Sequence, residues 1–222
     1  AYRRQRQMCI RDRDGNDWYK NANGILLWQP NVNSDTKLPR GYTYVGQSYT
    51  DMKNGTFYRK DGSVLFTNET LAYNRMWTLS RKVTKSSYYP SGKEESAFIL
   101  KNGNVLMLPD NWNDSMTSKM AGYSFKGKTL NKGNESYQVV GHVHTHQDKS
   151  FDQGPSKEDL TFMQPHENMF FFILHANNNI YGVRNINGKL KGWSNENYLE
   201  KVSNALTGQI SLSYIIKFFS NK

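Results

Sequence analysis

The chain has 222 residues, and its 29 Lys and Arg residues against 19 Asp and Glu give a formal net charge of +10. An excess of this size suggests an anionic partner. The single cysteine excludes an intrachain disulfide framework, cysteine-rich zinc sites and iron–sulfur clusters. The longest uncharged apolar run, Met169–Leu174, is far shorter than the about 20 residues of a transmembrane helix, so we expect a soluble protein.

Residues 1–13 differ in composition from the rest of the chain, because they contain five arginines, one aspartate and the only cysteine, Cys9. The segment looks like translated sequencing-adapter read-through, and we expect it to be a non-native leader. The alternative is a basic arm that binds phosphates or acidic membranes. Since the segment accounts for +4 of the net charge, residues 14–222 carry only +6 and have no cysteine. The charge is then a weak argument for nucleic acid, and thiol chemistry is excluded.

Short aromatic and apolar segments separated by Asn-Gly and Asp-Gly turns predict β-hairpins in the N-terminal third of the chain. Asp17–Gly24 and Ile25–Trp28 are typical of two strands joined by an Asn-Gly turn. Gly41–Val45 and Thr56–Phe66 repeat the pattern, the second with Asp61-Gly62 at its turn. We therefore expect two or three hairpins in this region.

The remaining chain alternates predicted helices and strands. The first predicted elements are a helix over Leu71–Val83 opened by Asn68-Glu69-Thr70, a loop over Ser86–Gly92, and a hairpin of Ser96–Leu100 and Val105–Pro109. A strand over Tyr137–His146 and a helix from Pro155 to Met163 come next. The last are a hairpin of Asn168–Leu174 and Ile180–Arg184, and a helix near Asn195–Leu206 followed by an apolar segment, Ile210–Phe219. This order predicts an α/β or α+β layer fold.

Three of the five histidines, His142, His144 and His146, lie at alternate positions of one predicted strand. Residues two apart on a strand face the same side of a sheet, so these imidazoles line up. Neutral imidazole is a zinc ligand, and two imidazoles from one strand can reach a single ion. A polar loop leads on to Ser156–Asp159 and could return Asp159 as a third ligand. Two histidines, one carboxylate and an open fourth position are typical of a hydrolytic zinc site, where the ion lowers the pKa of bound water to about 7.

These residues resemble the motif of the JAMM/MPN metallopeptidase family, in which a glutamate precedes a strand, His-x-His follows, and Ser-x-x-Asp comes after a loop. The matching segments are Glu94–Leu100, His144-Thr145-His146 and Ser156–Asp159. The Phe171–Tyr181 hairpin is similar to a strand pair that the family has behind its site. The resemblance covers about residues 68–185, and it implies an MPN-like mixed β-sheet flanked by helices and preceded by the β-hairpin-rich segment.

The chain is most similar to the JAB-like toxin domains at the C-termini of Rhs-type polymorphic toxins. Its Trp18-Tyr-Lys-Asn21…Gly24…Trp28 pattern resembles the tail that follows the core repeats of those proteins. The resemblance implies a leader at 1–13, an Rhs-tail-like segment at 14–67 and a metallopeptidase domain at 68–222. It also implies a secreted or delivered bacterial effector that is produced in the cytoplasm, although no signal peptide is visible.

The family resemblance implies roles for five residues. His144, His146 and Asp159 would bind zinc together with a water molecule. Glu94 would take a proton from that water and pass it to the leaving amine, and Ser156 would donate a hydrogen bond to the developing oxyanion. The implied activity is that of a zinc-dependent, deubiquitinase-like hydrolase that cleaves peptide or isopeptide bonds.

The implied partners are a protein or peptide substrate and, for a toxin, an immunity protein, whereas nucleic acid is not expected. Two alternatives stay open. The first is a metal-free binding or scaffold module on the same fold. The second is a nucleic-acid-targeting toxin, whose affinity would fall steeply with salt.

Four features depart from the family pattern: Ala97 in place of a frequent Gly, Gln147 in place of Pro, a slightly longer loop between His146 and Asp159, and Glu95 next to Glu94. Because neighbours on a strand face opposite sides, only one of the two glutamates can face a metal. Glu94 is preferred because the small Ala97 follows three residues later.

Several of the same residues also have structural interpretations. His142 is expected to pack beside the site rather than to bind metal. Ser156 and Asp159 have the spacing of a helix capping box, which can coexist with their proposed roles. His166 and His175 are expected to be surface or core residues.

Overall fold

The computed structural model describes residues 15–32, 40–81, 93–110, 120–146, 155–175, 180–187 and 189–193. The leader at 1–13, the loop predicted at 86–92, the loop after His146 and the C-terminal elements predicted at 195–206 and 210–219 lie outside these ranges. The chain divides into two compact units, Ala1–Leu65 and Phe66–Lys222, whereas the sequence places the boundary after residue 67. In the described parts of the chain, no helix is long and apolar enough to cross a membrane.

The first unit is built from short strands. They are β1 (Gly15–Asn21), β2 (Leu26–Val32), β3 (Tyr42–Gly46), β4 (Tyr49–Asp51), β5 (Thr56–Tyr58) and β6 (Val64–Phe66), the last of which reaches the unit boundary. β1 lies between β2 and β3 in a three-stranded antiparallel sheet. The predicted hairpins at β1–β2 and β5–β6 are confirmed, whereas β4, which pairs with β5, was not predicted.

Aromatic side chains form the centre of the first unit. Trp18 is buried, its Nε1 donates a hydrogen bond to the carbonyl of Arg59 at 2.8 Å, and its ring centroid lies 4.9 Å from that of Tyr58. The predicted turn at Asp61-Gly62 needs a glycine, because Gly62 has a φ of 85° and lies against the indole of Trp28. Large buried rings therefore supply apolar contact area that the short strands alone would not provide.

The second unit is a mixed sheet with helices. Its described elements are α1 (Glu69–Ser80), β7 (Ser96–Leu100), β8 (Val105–Met107), β9 (Ser124–Lys126), β10 (Thr129–Lys132), β11 (Glu135–His146), α2 (Lys157–Met163), β12 (Phe170–His175), β13 (Ile180–Ile186) and β14 (Lys189–Trp193). The strand order is β14-β13-β12-β11-β7-β8, and the first part of β11 pairs with β10, which pairs with β9. β11 and β12 are parallel, and the other neighbours are antiparallel. The unit is thus broadly α+β, with strands predominating.

The central strands are buried on both faces. Every side chain of β7 and β12 is buried, which explains why Ala97–Leu100 and Phe170–Leu174 are continuous apolar runs rather than alternating patterns. α1 packs against β8 and β11. It begins as predicted at Asn68, whose side chain accepts hydrogen bonds from the N–H groups of Thr70 and Leu71. The C-terminal part of β11 is therefore held between two strands in the middle of a covered sheet.

Candidate metal centre

Alternation along β11 brings His142, His144 and His146 to one face of the sheet. The ring centroids of His142 and His144 lie 5.4 Å apart, and those of His144 and His146 lie 4.8 Å apart. His144 is opposite Ser96 of β7 and Ile173 of β12, so the sheet holds the strand on both sides at this point. The predicted row of imidazoles therefore stands on a rigid element.

Helix α2 supplies the carboxylate, and a capping box fixes its position. Ser156 Oγ accepts a hydrogen bond from the N–H of Asp159 at 3.1 Å, and Asp159 Oδ2 accepts one from the N–H of Ser156 at 2.8 Å. In this position Asp159 Oδ1 lies 3.1 Å from Nε2 of His144, and Oδ2 lies 3.3 Å from Nε2 of His146. The carboxylate of Asp159 thus both caps α2 and contacts the two histidines.

His144, His146 and Asp159 form a group that could hold a metal ion. The two imidazole Nε2 atoms are 3.0 Å apart, and the carboxylate oxygens lie 3.1 and 3.3 Å from them. Two ligands of a tetrahedral zinc ion with bonds of about 2.0–2.1 Å are separated by about 3.3–3.4 Å. The distances and the nitrogen and oxygen donors therefore fit a small divalent ion.

The carboxyl group of Asp159 is ionised in this environment. Burial by itself would raise its pKa, but hydrogen bonds from His144 and His146 and from the backbone N–H of Ser156 outweigh burial and hold the pKa well below its usual range. The group therefore presents one negative charge beside two imidazoles, which is a donor set suited to a cation.

Glu94 lies beside this group. Its Oε1 is 3.7 Å from Nε2 of His146, and its side chain is 21% exposed. The backbone explains the placement, since Thr145 N donates to Glu95 O at 3.0 Å and Glu95 N donates to Thr145 Oγ1 at 2.9 Å. The side chain of Glu95 faces away, is 1% exposed and forms an ion pair with Lys93 at 3.2 Å. Of the two glutamates, Glu94 is thus the one beside the imidazoles.

His142 lies behind the candidate ligands and packs among phenylalanines. Its ring centroid is 4.9 Å from that of Phe98 and 5.2 Å from that of Phe162. Burial, together with the neighbouring His144, lowers the pKa of His142 to about 3, so the ring is neutral. Nδ1 of His144 is buried and has no hydrogen-bond partner among the described residues. The orientation of that ring therefore depends on the contact of its Nε2 with Asp159 and on packing between His142 and His146.

The two remaining histidines are buried. His175 lies opposite His146 in the β11–β12 pair, with ring centroids 6.5 Å apart, so it borders the site. The sequence motif does not predict this neighbour, because the motif has no histidine there and the parallel pairing of β11 with β12 is a tertiary feature. His166 packs on Phe125 and donates from Nδ1 to the carbonyl of Gly127, away from the candidate ligands.

The structure thus brings together four of the five predicted site residues around one point, and it places the fifth, Ser156, at the start of the helix that carries Asp159. Comparisons with protein-family models, with curated proteins and with solved structures gave no significant match. The features that bear on function are therefore this geometry and the sequence motif.

Proposed function

We propose that the chain is a zinc-dependent hydrolase of the JAMM/MPN type, which cleaves peptide or isopeptide bonds. The observation that carries the proposal is the convergence of His144, His146 and Asp159, with Glu94 next to them and outside the group. Three protein ligands leave one position for water or substrate, as in catalytic zinc sites. A glutamate beside such a site is suited to act as its base.

The MPN fold is part of the same proposal. It is supported by the positions of the motif segments on the elements: Glu94 just before β7, His-x-His at the end of β11, and Asp159 in the first turn of α2. The parallel β11–β12 pair and the β12–β13 hairpin form the sheet beside these segments. The order along the chain agrees with the order of the family motif.

In the proposed mechanism, His144, His146 and Asp159 would hold a zinc ion, whose chemistry would be to lower the pKa of a water molecule to about 7 and to polarise the scissile carbonyl. Glu94 takes a proton from the attacking water and delivers it to the leaving nitrogen, a task for which its partly exposed position beside His146 is suited. Ser156 Oγ is an acceptor in the capping box, so its own hydroxyl proton remains for the developing oxyanion.

The wider role that we propose is the toxin tip of an Rhs-type secreted bacterial protein. The first unit would be the tail that connects this tip to the rest of the protein, which its hairpins and aromatic residues support. The target would then be a protein of the recipient cell, and an immunity protein would protect the producing cell.

The test is to measure bound zinc and the cleavage of ubiquitin conjugates and peptide libraries. His144→Ala and His146→Ala should lose zinc and turnover together. Glu94→Gln should keep zinc and lose turnover by about 100-fold or more, because only the proton transfer is removed. Glu135→Gln, an exposed glutamate at the start of β11, is the matched control and should behave as wild type.

Three results would contradict the proposal in whole or in part. A wild-type protein that binds no zinc but binds a protein partner tightly would be a scaffold module. A protein without peptidase activity whose affinity for nucleic acid falls steeply with salt would be a nucleic-acid-targeting toxin. Full turnover of Glu94→Gln would remove the assigned base.

A further inference from the structure

Four polar residues with little solvent exposure surround the backbone of Glu94. We name this group the Glu94 clamp, and its members are Lys93, Glu95, Asp110 and Thr145. Lys93 is 3% exposed, and its Nζ forms ion pairs with Glu95 Oε1, at 3.2 Å, and with Asp110 Oδ1. Asp110 is 10% exposed and follows β8. The clamp therefore joins the segment before β7 to the end of the neighbouring strand.

The backbone on each side of Glu94 is also held. The N–H of Lys93 donates to the carbonyl of Ser80, the last residue of α1, at 2.8 Å. Glu95 and Thr145 are joined by two hydrogen bonds. The N–H of Glu95 donates to Oγ1 of Thr145, and the N–H of Thr145 donates to the carbonyl of Glu95. Thr145 lies between His144 and His146 in sequence, so the chain at Glu95 is tied directly to the strand that carries the candidate ligands.

The cost of this arrangement indicates more than a packing role. Burying a lysine and carboxylates is expensive, and apolar residues of similar size often fill such a place at equal or greater stability. Glu94 precedes the first residue of β7, Ser96, so it is outside the strand itself. A base must nevertheless be placed precisely, since a displacement of about 1 Å can cost about 100-fold in rate.

We propose that Lys93, Glu95, Asp110 and Thr145 are positioning residues, which hold the side chain of Glu94 toward the candidate metal ligands. This inference rests on the proposed function, because it takes Glu94 as the base. The side chain of Thr145 faces the opposite side of β11 from His144 and His146, and residues of the clamp make no contact with Asp159 among the contacts described above. Loosening the clamp should therefore change the rate of the reaction and leave the affinity for metal unchanged.

The experiment uses two pairs of variants in the full chain. Asp110→Asn removes one charge and Thr145→Val removes the acceptor for Glu95, whereas Asp110→Glu and Thr145→Ser keep these groups. We expect kcat to fall by about 10- to 100-fold in the first pair. KM and zinc affinity should stay close to wild type, and the conservative pair should recover most of the rate. Glu135→Gln is again the control for removal of an exposed charge.

A second measurement works without turnover. The visible spectrum of the cobalt-substituted protein depends on the ionisable groups near the ion, so its pH dependence should change in Glu94→Gln. We expect Asp110→Asn and Thr145→Val to change it in the same direction, because they displace the same carboxylate. The zinc affinity of each variant, measured in parallel, reports any change in the candidate ligands themselves.

The outcomes separate the inference from the proposed function. If the wild-type protein binds neither zinc nor cobalt, the proposed function fails. If Glu94→Gln alters rate and spectrum but a folded clamp variant has wild-type values, the clamp is not a positioning device and the proposed function stands. Folding is checked by circular dichroism. If the variants at Asp110 do not fold, those at Thr145 decide the question, and the reverse also holds. An equal loss of rate in the conservative pair would also overturn the inference.

Discussion

His166 is a core histidine whose neutral form the fold favours. Burial lowers its pKa, and the hydrogen bond that Nδ1 donates to the carbonyl of Gly127 only partly opposes this effect. In an unfolded chain the pKa of histidine is about 6.5. Between the lowered pKa and that value, the unfolded state binds more protons than the folded state. The contribution of His166 to stability is therefore complete above this window and is lost as the pH falls through it.

We expect the free energy of unfolding of the zinc-free protein to fall as the pH is lowered below about 6.5. In His166→Gln the fall should be smaller, since glutamine does not titrate and can still donate to Gly127. Urea titrations of both proteins over a series of pH values check this. His142, whose pKa is also lowered, contributes in both proteins, so the difference reports His166. Equal slopes would contradict the assignment.

Gly62 is a position in the first unit where a side chain is poorly tolerated. Its φ is 85°, and a Cβ atom there would lie 2.5 Å from Cδ2 and Cε2 of Trp28. We expect Gly62→Ala to lower the free energy of unfolding by about 2–4 kcal/mol, from backbone strain together with overpacking. Gly41→Ala is the matched control, because its φ is 82° with nothing within 4 Å of the added atom.

Chemical denaturation followed by tryptophan fluorescence measures both glycine variants. Gly41→Ala should show the strain alone, about 1–2 kcal/mol. A cost for Gly62→Ala no greater than that of Gly41→Ala would show that Trp28 does not pack against the turn.

At the scale of elements, the strands with strong apolar runs could be predicted from the sequence, and the short polar ones could not. β7, β8 and β12 have continuous buried residues, and β11 has the row of histidines. In β9 the pattern is exposed, half-buried, exposed, so only its pairing with β10 makes it a strand. Propensity is a weak guide where tertiary pairing decides.

The candidate site shows the same division between local patterns, which can be read from the sequence, and tertiary contacts, which cannot. The spacing of the motif was enough to select His144, His146 and Asp159. Which of the two glutamates lies beside the imidazoles depends on the bonds of Glu95 to Thr145, which join segments distant in the sequence. No local pattern contains such a contact, so the sequence could only favour one glutamate.

Helix α2 is short, and its C-terminal end depends on a side chain from β13. Nδ2 of Asn185 donates to the carbonyls of Met163 and Gln164 at 3.1 and 2.7 Å, and Asn185 is fully buried. Such bonds satisfy carbonyl groups that have no partner within a helix. They also tie the helix that carries Asp159 to the sheet that carries the histidines.

We expect Asn185→Ala to lower the free energy of unfolding by about 1–3 kcal/mol, because buried carbonyl groups lose their donors. Zinc affinity should fall as well, since α2 is less firmly held. Denaturant titration and competition with a chelator measure the two effects. The control is Asn74→Ala at an exposed position of α1, which should raise stability by up to about 0.7 kcal/mol through helix propensity. A neutral Asn185→Ala would contradict the proposed tie.

At the scale of the whole molecule, metal binding and folding should be linked. The three candidate ligands come from β11 and α2, elements that meet only in the folded second unit. A ligand that binds only the folded state stabilises it, by about 2.7 kcal/mol when its concentration is 100 times the Kd. Zinc should therefore raise the Tm, and a chelator should lower it.

Hydrogen exchange localises that stabilisation. With zinc, amides of β11 and α2 should exchange more slowly, whereas those of β1 in the first unit, which supplies no candidate ligand, should be unchanged and act as an internal reference. The double variant His144→Ala, His146→Ala should show neither the shift in Tm nor the change in exchange. A zinc-dependent Tm that persists in this variant would assign the metal to other residues. An unchanged Tm in the wild-type protein on addition of zinc would contradict metal binding at this site. An ion held by both β11 and α2 must oppose their separation when the protein unfolds.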